Sequence, residues 1–103
     1  MGLITTDEPL ENAADSLLER FQTTNPSLRL VRGQRKPITV DDRQGVSIFL
    51  EGPSSLEGQR EYVWIVTART NEGLFYLVMI SPQAEYRELY PTFKTTIDSV
   101  KLD

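Results

Sequence analysis

The beginning of the chain has the apolar spacing of an amphipathic helix. Residues 1–8 show no period, and apolar side chains then recur every three or four positions, at Leu10, Ala13, Ala14, Leu17, Leu18 and Phe21. Pro9 suits the first turn of a helix, and Pro26 disfavours the helical conformation in the residue before it. The pattern therefore predicts a loose lead-in over 1–8 and a helix that ends just before Pro26.

The following part of the chain, up to residue 80, has the pattern of β-strands. Extended segments are predicted over 28–32, 38–40, 46–51, 62–68 and 74–80. The last two are rich in β-branched and aromatic residues, which favour strands. They are also apolar on both faces, whereas a sheet with one face in water alternates with polar residues. We therefore expect the central strands to be covered on two sides. The N-terminal helix would cover one side, and the C-terminal segment would cover the other or share the first.

Three segments between these strands have the composition of turns and loops. Residues 41–45 form a predicted turn, with aspartates and Gly45 in favoured turn positions. Residues 52–58 are rich in glycine, proline and serine and are predicted as a loop. Residues 70–73 predict a hairpin turn in which Gly73 is available for a positive φ, so the two long strands are expected to be antiparallel neighbours.

The C-terminal segment returns to helical spacing. After Ser81 and Pro82 an apolar stripe runs through Tyr86, Leu89, Tyr90, Phe93, Ile97 and Val100. Pro91 interrupts this stripe, and a proline inside a helix costs roughly 3 kcal/mol but little at a first helical position. We therefore predict a short helical turn near 83–89 and a second helix near 91–99, with Trp64 and Phe93 buried.

These patterns together predict an α+β fold in a single domain spanning residues 1–103. The sheet is expected to be antiparallel, with about four to five strands covered by an N-terminal helix and C-terminal helices. No run of about 18 apolar residues is present, so no membrane span is predicted. The first residues also lack the pattern of a signal peptide.

The composition removes most catalytic chemistry. The chain has no histidine and no cysteine, which excludes Ser-His-Asp and Cys-His arrangements, disulfides, and zinc sites built from these residues. The pairs Asp41 with Asp42 and Glu85 with Glu88 are interpreted as solvated surface charges. General acid–base catalysis by two carboxyl groups also needs a pocket that shifts their pKa values. We therefore predict that this chain is not an enzyme, holds no metal and requires no cofactor.

The charge distribution supplies the main surface feature. The net charge is −4, which argues against general nucleic-acid binding. Basic residues nevertheless concentrate over 29–43, at Arg29, Arg32, Arg35, Lys36 and Arg43. This basic patch is a candidate site for an anion or a partner, or alternatively a solvated edge whose charges discourage strand-to-strand aggregation.

Two groups of residues carry a resemblance to known domains. Residues 81–82, 90–93 and 97–102 resemble the ending of PsbP-like and Mog-type domains. Residues 33–34, 45–47, 64–69 and 73–77 resemble a C-terminal domain attached to bacterial HExxH zinc peptidases of the Ste-type, beta-barrel-assembly-enhancing class. The similarity covers most of residues 10–102, and its motifs are structural rather than catalytic.

The resemblance implies a PsbP-like arrangement and an accessory role. The chain would be a segment of a longer, periplasmic or extracellular protein, with the zinc chemistry in the parent chain. Its expected partner is protein, either the parent peptidase domain or its substrates. The alternative is a stand-alone module that binds a small ligand or anion at the basic patch.

Overall fold

The structure is a computed structural model that describes residues 1–53 and 58–102. Its elements are, in chain order, β1 (Gly2–Ile4), α1 (Leu10–Thr24), β2 (Arg29–Leu30), β3 (Lys36–Val40), β4 (Arg43–Pro53), β5 (Arg60–Thr70), β6 (Gly73–Pro82), a 3-10 turn (Gln83–Glu85) and α2 (Tyr86–Ser99). The predicted α+β class is confirmed.

The strands form one antiparallel sheet, which confirms that prediction. Within the described ranges it has six strands in the order β1-β6-β5-β4-β2, and β3 also pairs with β4. Residues 43–47 of β4 pair with β3, and residues 50–51 pair with β2, so the two short strands share one edge of β4. The predicted number of four to five strands was too low.

Strand β1 lies within the segment that the sequence predicted to be a loose lead-in. It pairs antiparallel with residues 74–76 of β6. A three-residue strand is too short to show a period of two, and it forms here because β6 offers it an open edge. Gly2 permits this approach, since a Cβ there would lie 2.6 Å from the ring of Tyr76.

Alternate residues of the central strands face opposite sides of the sheet, and each side carries a buried cluster. One cluster, on what we call the Ile48 face, joins three α1 residues to the sheet and consists of Ala13, Ala14, Leu17, Leu28, Val46, Ile48, Leu50, Val63, Ile65 and Leu74. The other, on the Trp64 face, includes one α2 residue and consists of Val40, Trp64, Val66, Ala68, Phe75, Leu77, Met79 and Ile97. Apolar residues on both faces explain why β5 and β6 show no polar alternation.

Helix α2 is continuous from Tyr86 to Ser99, so the predicted break at Pro91 was wrong. Proline removes one helical hydrogen bond, but contacts on either side of it hold the helix together. Tyr90 stacks on Trp64 with ring centroids 5.8 Å apart, and the Phe93 ring lies 6.4 Å from the same indole. Trp64 is buried as predicted, whereas Phe93 is only half-buried.

The turns agree with the sequence in one case and differ in another. Thr70 pairs with Gly73, whose φ is 147°, which confirms the predicted hairpin. The hairpin between β3 and β4 is shorter than the predicted 41–45, because Asp41 and Asp42 alone form it with φ values of 49° and 64°. Gly45 therefore lies within β4 rather than in the turn.

The predicted loop over 52–58 begins two residues too early, because β4 continues to Pro53. Gly52 and Pro53 still pair with β5, opposite Glu61 and Arg60. Residues 54–57 lie outside the described residues.

Among the helices of the described ranges, neither has the length and apolar character needed to cross a bilayer.

Candidate functional site

The five residues of the basic patch do not form one surface. Arg35 turns toward α1, where its guanidinium donates to Glu11 Oε2 at 2.8 Å and to Asp15 Oδ1 at 2.5 Å. Lys36 is exposed and pairs in register with Ser47, on the Trp64 face of the sheet. Successive residues of the patch therefore lie on opposite sides of the sheet.

The charge of Arg35 is already balanced within the protein. Burial acts to lower the pKa of Arg35, but the hydrogen bonds and charges of Asp15 and Glu11 outweigh it and raise that pKa. Arg29 and Arg32 are exposed, while Arg43 is half-buried. Arg29 lies in register with Glu51, which places a carboxylate beside the patch. The structure does not bring the five cations together around one anion.

We expect Arg35→Gln to lower the free energy of unfolding by about 1 kcal/mol at low salt. The substitution removes two partly exposed ion pairs, each worth a few tenths of a kcal/mol to about 1 kcal/mol. Salt screens such pairs, so the difference should shrink at high ionic strength. Urea melts at low and high salt measure both effects.

The matched control for this prediction is Arg32→Gln, which removes the same charge from an exposed position of the same segment. Its effect should stay within about 0.5 kcal/mol. Equal destabilisation by the two substitutions would show that net charge, and not the contacts with α1, explains the loss.

A groove lined by aromatic side chains lies on the Trp64 face, between the sheet and the first half of α2. Its volume is about 390 Å³. Its aromatic walls are Phe49, Tyr62, Trp64, Tyr86 and Tyr90, and its polar rim includes Gln34, Lys36 and Ser47. We refer to these residues together as the aromatic groove.

Two simple periodicities bring these rings together. Tyr62 and Trp64 are two residues apart in β5 and therefore face the same side of the sheet. Tyr86 and Tyr90 are four apart in α2 and lie one above the other on the helix. Phe49 of β4 is in register with Trp64, so the strand pair and the helix meet along one line of rings.

The rings are held in defined orientations. Tyr90 is almost parallel to the indole of Trp64, at an interplanar angle of 2°. Tyr86 stands edge-on to Phe49 at 83° and to Tyr62 at 79°, with centroids 5.2 and 5.1 Å apart. The indole nitrogen of Trp64 donates to Ser47 Oγ at 2.7 Å. These contacts fix the walls before any ligand arrives.

The groove presents hydrogen-bond donors that the protein leaves unused. In the described part of the chain the hydroxyls of Tyr62, Tyr86 and Tyr90 form no hydrogen bond, although each can donate one and accept others. Burial, followed by the nearby Tyr90 and Tyr62, raises the pKa of Tyr86, so its hydroxyl remains protonated. Lys36 adds a positive charge at the rim.

A second cavity of similar size lies beside the turn between β5 and β6. Its volume is about 410 Å³, and Gly2, Phe75 and Leu102 contribute to its lining. It contains one aromatic ring, and the groove contains five. Among residues 1–53 and 58–102 no group of acidic side chains is close enough to hold a metal ion. The aromatic groove is therefore the candidate site.

The sequence emphasised other side chains than those of the groove. It singled out the basic patch, of which only Lys36 lines the groove. Trp64 was predicted to be buried, and Tyr86 and Tyr90 were assigned to the apolar stripe of the C-terminal segment. The signal was nevertheless present, in the alternate aromatic residues of β5 and the aromatic pair four apart in α2.

Comparison of the sequence with protein-family models gives no match. Comparison with curated proteins gives none either. What the domain does must therefore be inferred from the groove and from the sequence resemblance.

Proposed function

We propose that this chain is a non-catalytic protein-interaction domain and that the aromatic groove is its binding surface. The observation that carries the proposal is a groove of about 390 Å³ lined by five aromatic rings, with Lys36 at its rim and three tyrosine hydroxyls that form no hydrogen bond within the described residues. Tyrosine and tryptophan are enriched at the energetic centres of protein interfaces, because their rings bury large areas while their polar atoms pair with the partner.

We further propose that the domain is an accessory part of a secreted or periplasmic bacterial zinc peptidase, where it binds the peptidase domain or its substrates. The sequence resemblance over residues 10–102 supports this context and a PsbP-like arrangement of helices around the sheet. A tethered binding domain raises the effective concentration of its ligand beside the active site. Modest affinity is then enough to change which substrates are cleaved.

The alternative function, anion binding at the basic patch, has weaker support. Arg35 is engaged by Glu11 and Asp15, and Glu51 stands in register with Arg29. An anion at Arg35 would have to displace both of its carboxylate partners, and an anion at Arg29 would lie beside Glu51. Only Lys36 places a patch charge where a ligand of the aromatic groove would meet it.

Deletion of the domain from the parent enzyme tests the proposed function. Because the groove would act on substrate choice, we expect cleavage of a short unstructured peptide to be nearly unchanged and cleavage of the native protein substrate to fall about tenfold or more. In the undeleted enzyme, Tyr90→Ala should also slow cleavage of the native substrate. Thr92→Ala, which changes an exposed residue of the same helix outside the groove, should not.

Three results would contradict this proposal. Unchanged cleavage of both substrates would show that the domain does not select substrates. Equal loss on both would show that the domain serves folding of the enzyme. A parent reading frame without an HExxH motif would remove the peptidase context altogether.

A further inference from the structure

We propose that the aromatic groove binds a proline-rich segment in the polyproline II conformation, with an acidic residue next to the prolines. The inference rests on the proposed protein-binding function and names the class of ligand. It follows from three properties of the groove, which are the orientation of its rings, its donors that have no partner within the described residues, and the charge at its rim.

The ring orientations create a ridged surface rather than a flat platform. Tyr86 stands at 79° to Tyr62 and at 66° to Tyr90, with ring centroids 5.1 and 5.9 Å apart, so neighbouring rings touch edge to face and form an uneven surface. Trp64 is only 7% exposed, and Tyr90 lies parallel to its indole with ring centroids 5.8 Å apart, so the indole offers little free face. A planar base or a sugar needs a broad free ring face, whereas the compact ring of a proline can pack on the uneven surface that tilted rings form. Aromatic-lined grooves are a general mode of recognising proline-rich segments.

The hydrogen-bonding groups of the groove include several donors that have no partner within the described residues. Three tyrosine hydroxyls and the ammonium of Lys36 can donate, while Ser47 Oγ already accepts from Trp64. A polyproline II segment has no internal hydrogen bonds, so its carbonyls are free to accept, and its prolines bring no N–H that would need an acceptor. An ordinary extended strand also brings one N–H for every carbonyl, and each N–H needs an acceptor that the ammonium of Lys36 cannot supply.

The positive charge at the rim indicates which kind of residue should flank the prolines of the ligand. Lys36 is exposed and lines the groove, and no carboxylate lines it among the residues that the structure describes. An aspartate or glutamate beside the prolines would pair with Lys36. Because the polyproline II conformation is formed before binding, such a segment also loses little conformational entropy.

Titration of the chain with a labelled peptide of proline-proline-leucine repeats carrying one aspartate tests the inference. Trp64 is the only tryptophan, so its fluorescence reports directly on the groove. We expect a saturable change in this fluorescence, and about tenfold weaker binding when alanine replaces every proline in the peptide. Tyr90→Ala should raise the Kd by about tenfold, which is about 1.4 kcal/mol, while Thr92→Ala should leave it unchanged.

Two conservative substitutions keep the test independent of folding. Tyr86→Phe retains the ring and removes one donor, so the Kd should rise severalfold with an unchanged circular dichroism spectrum. Lys36→Gln should weaken binding of the aspartate peptide and reduce its salt dependence, while a peptide with asparagine in place of aspartate should show no such loss. Arg20→Gln, a charge change on exposed α1, is the matched control.

Equal affinity for the proline and alanine peptides, or no saturable response to either, would overturn the inference. So would tighter binding of a cello-oligosaccharide or of single-stranded oligothymidylate. These outcomes are distinguishable from failure of the proposed function. If Tyr90→Ala slows cleavage of the native substrate but proline content has no effect on binding, the domain binds protein through the groove and only the ligand class is wrong.

Discussion

Replacing Gly45 with alanine should destabilise the protein by about 3 kcal/mol or more, because β4 and β5 approach too closely there for a side chain. A Cβ at this position would overlap the carbonyl oxygen of Thr67 and lie 2.8 Å from its carbonyl carbon. Both obstacles are backbone atoms, which cannot move aside as the end of a flexible side chain would. Denaturant melts of the two proteins measure the loss.

The same approach supports a pair of buried hydrogen bonds that the substitution would break. The hydroxyl of Thr67 accepts from the Val46 amide at 3.1 Å and donates to the Val46 carbonyl at 3.0 Å. Both groups are buried, so separating the strands would leave them without partners, at a further cost of about 1–3 kcal/mol for a buried group. Because Gly45 has no side chain, Thr67 can come close enough for its hydroxyl to bond Val46, and this completes the pairing between β4 and β5.

Gly33→Ala is the matched control for this prediction. Gly33 has a φ of 76° and no atoms near the position of a Cβ, so alanine there meets only backbone strain. We expect a loss of about 1 kcal/mol at Gly33. If Gly45→Ala lowers the free energy of unfolding no more than Gly33→Ala does, the two strands do not approach as closely at Gly45 as described.

Ile65→Ala should lower the free energy of unfolding by about 3–4 kcal/mol. Ile65 is fully buried in the middle of the sheet, between its partners Ile48 and Val78. Truncation removes buried apolar atoms and leaves a cavity that neighbouring strands cannot close. Urea unfolding followed by circular dichroism measures the change.

Ile80→Ala removes the same atoms from the adjacent strand, where the side chain is 54% exposed. Its cost should stay below about 1 kcal/mol, because little apolar area leaves contact with water when Ile80 folds into place. A similar loss at both positions would contradict the assignment of Ile65 to the buried Ile48 face.

The aromatic groove could not be predicted from the sequence as fully as the core. Tyr62 and Trp64 were recognised as strand residues and Tyr86 and Tyr90 as a helical pair, so each half of the groove was visible. Their meeting depends on how α2 packs against the sheet, which no local pattern encodes. The sequence likewise could not show that Arg35 pairs with Glu11 and Asp15 of α1, because these partners are distant in sequence.

The sequence by itself determined the features that depend on local period and turn chemistry. These are helix α1, the long apolar strands β5 and β6, the hairpin that joins them at Gly73, and the burial of Trp64. A period of two or of 3.6 residues is written into the chain wherever a segment is long enough to show it. The absence of histidine and cysteine likewise limited the available chemistry without reference to any fold.

Only the tertiary structure decided features whose energy comes from contacts between distant segments. Strand β1 exists because β6 offers an open edge, and α2 continues through Pro91 because Tyr90 and Phe93 pack on Trp64. Gly45 was predicted to be a turn residue, but it lies in β4 against the backbone of Thr67. In each case the local preference is worth a few kcal/mol at most, and long-range packing outweighs it.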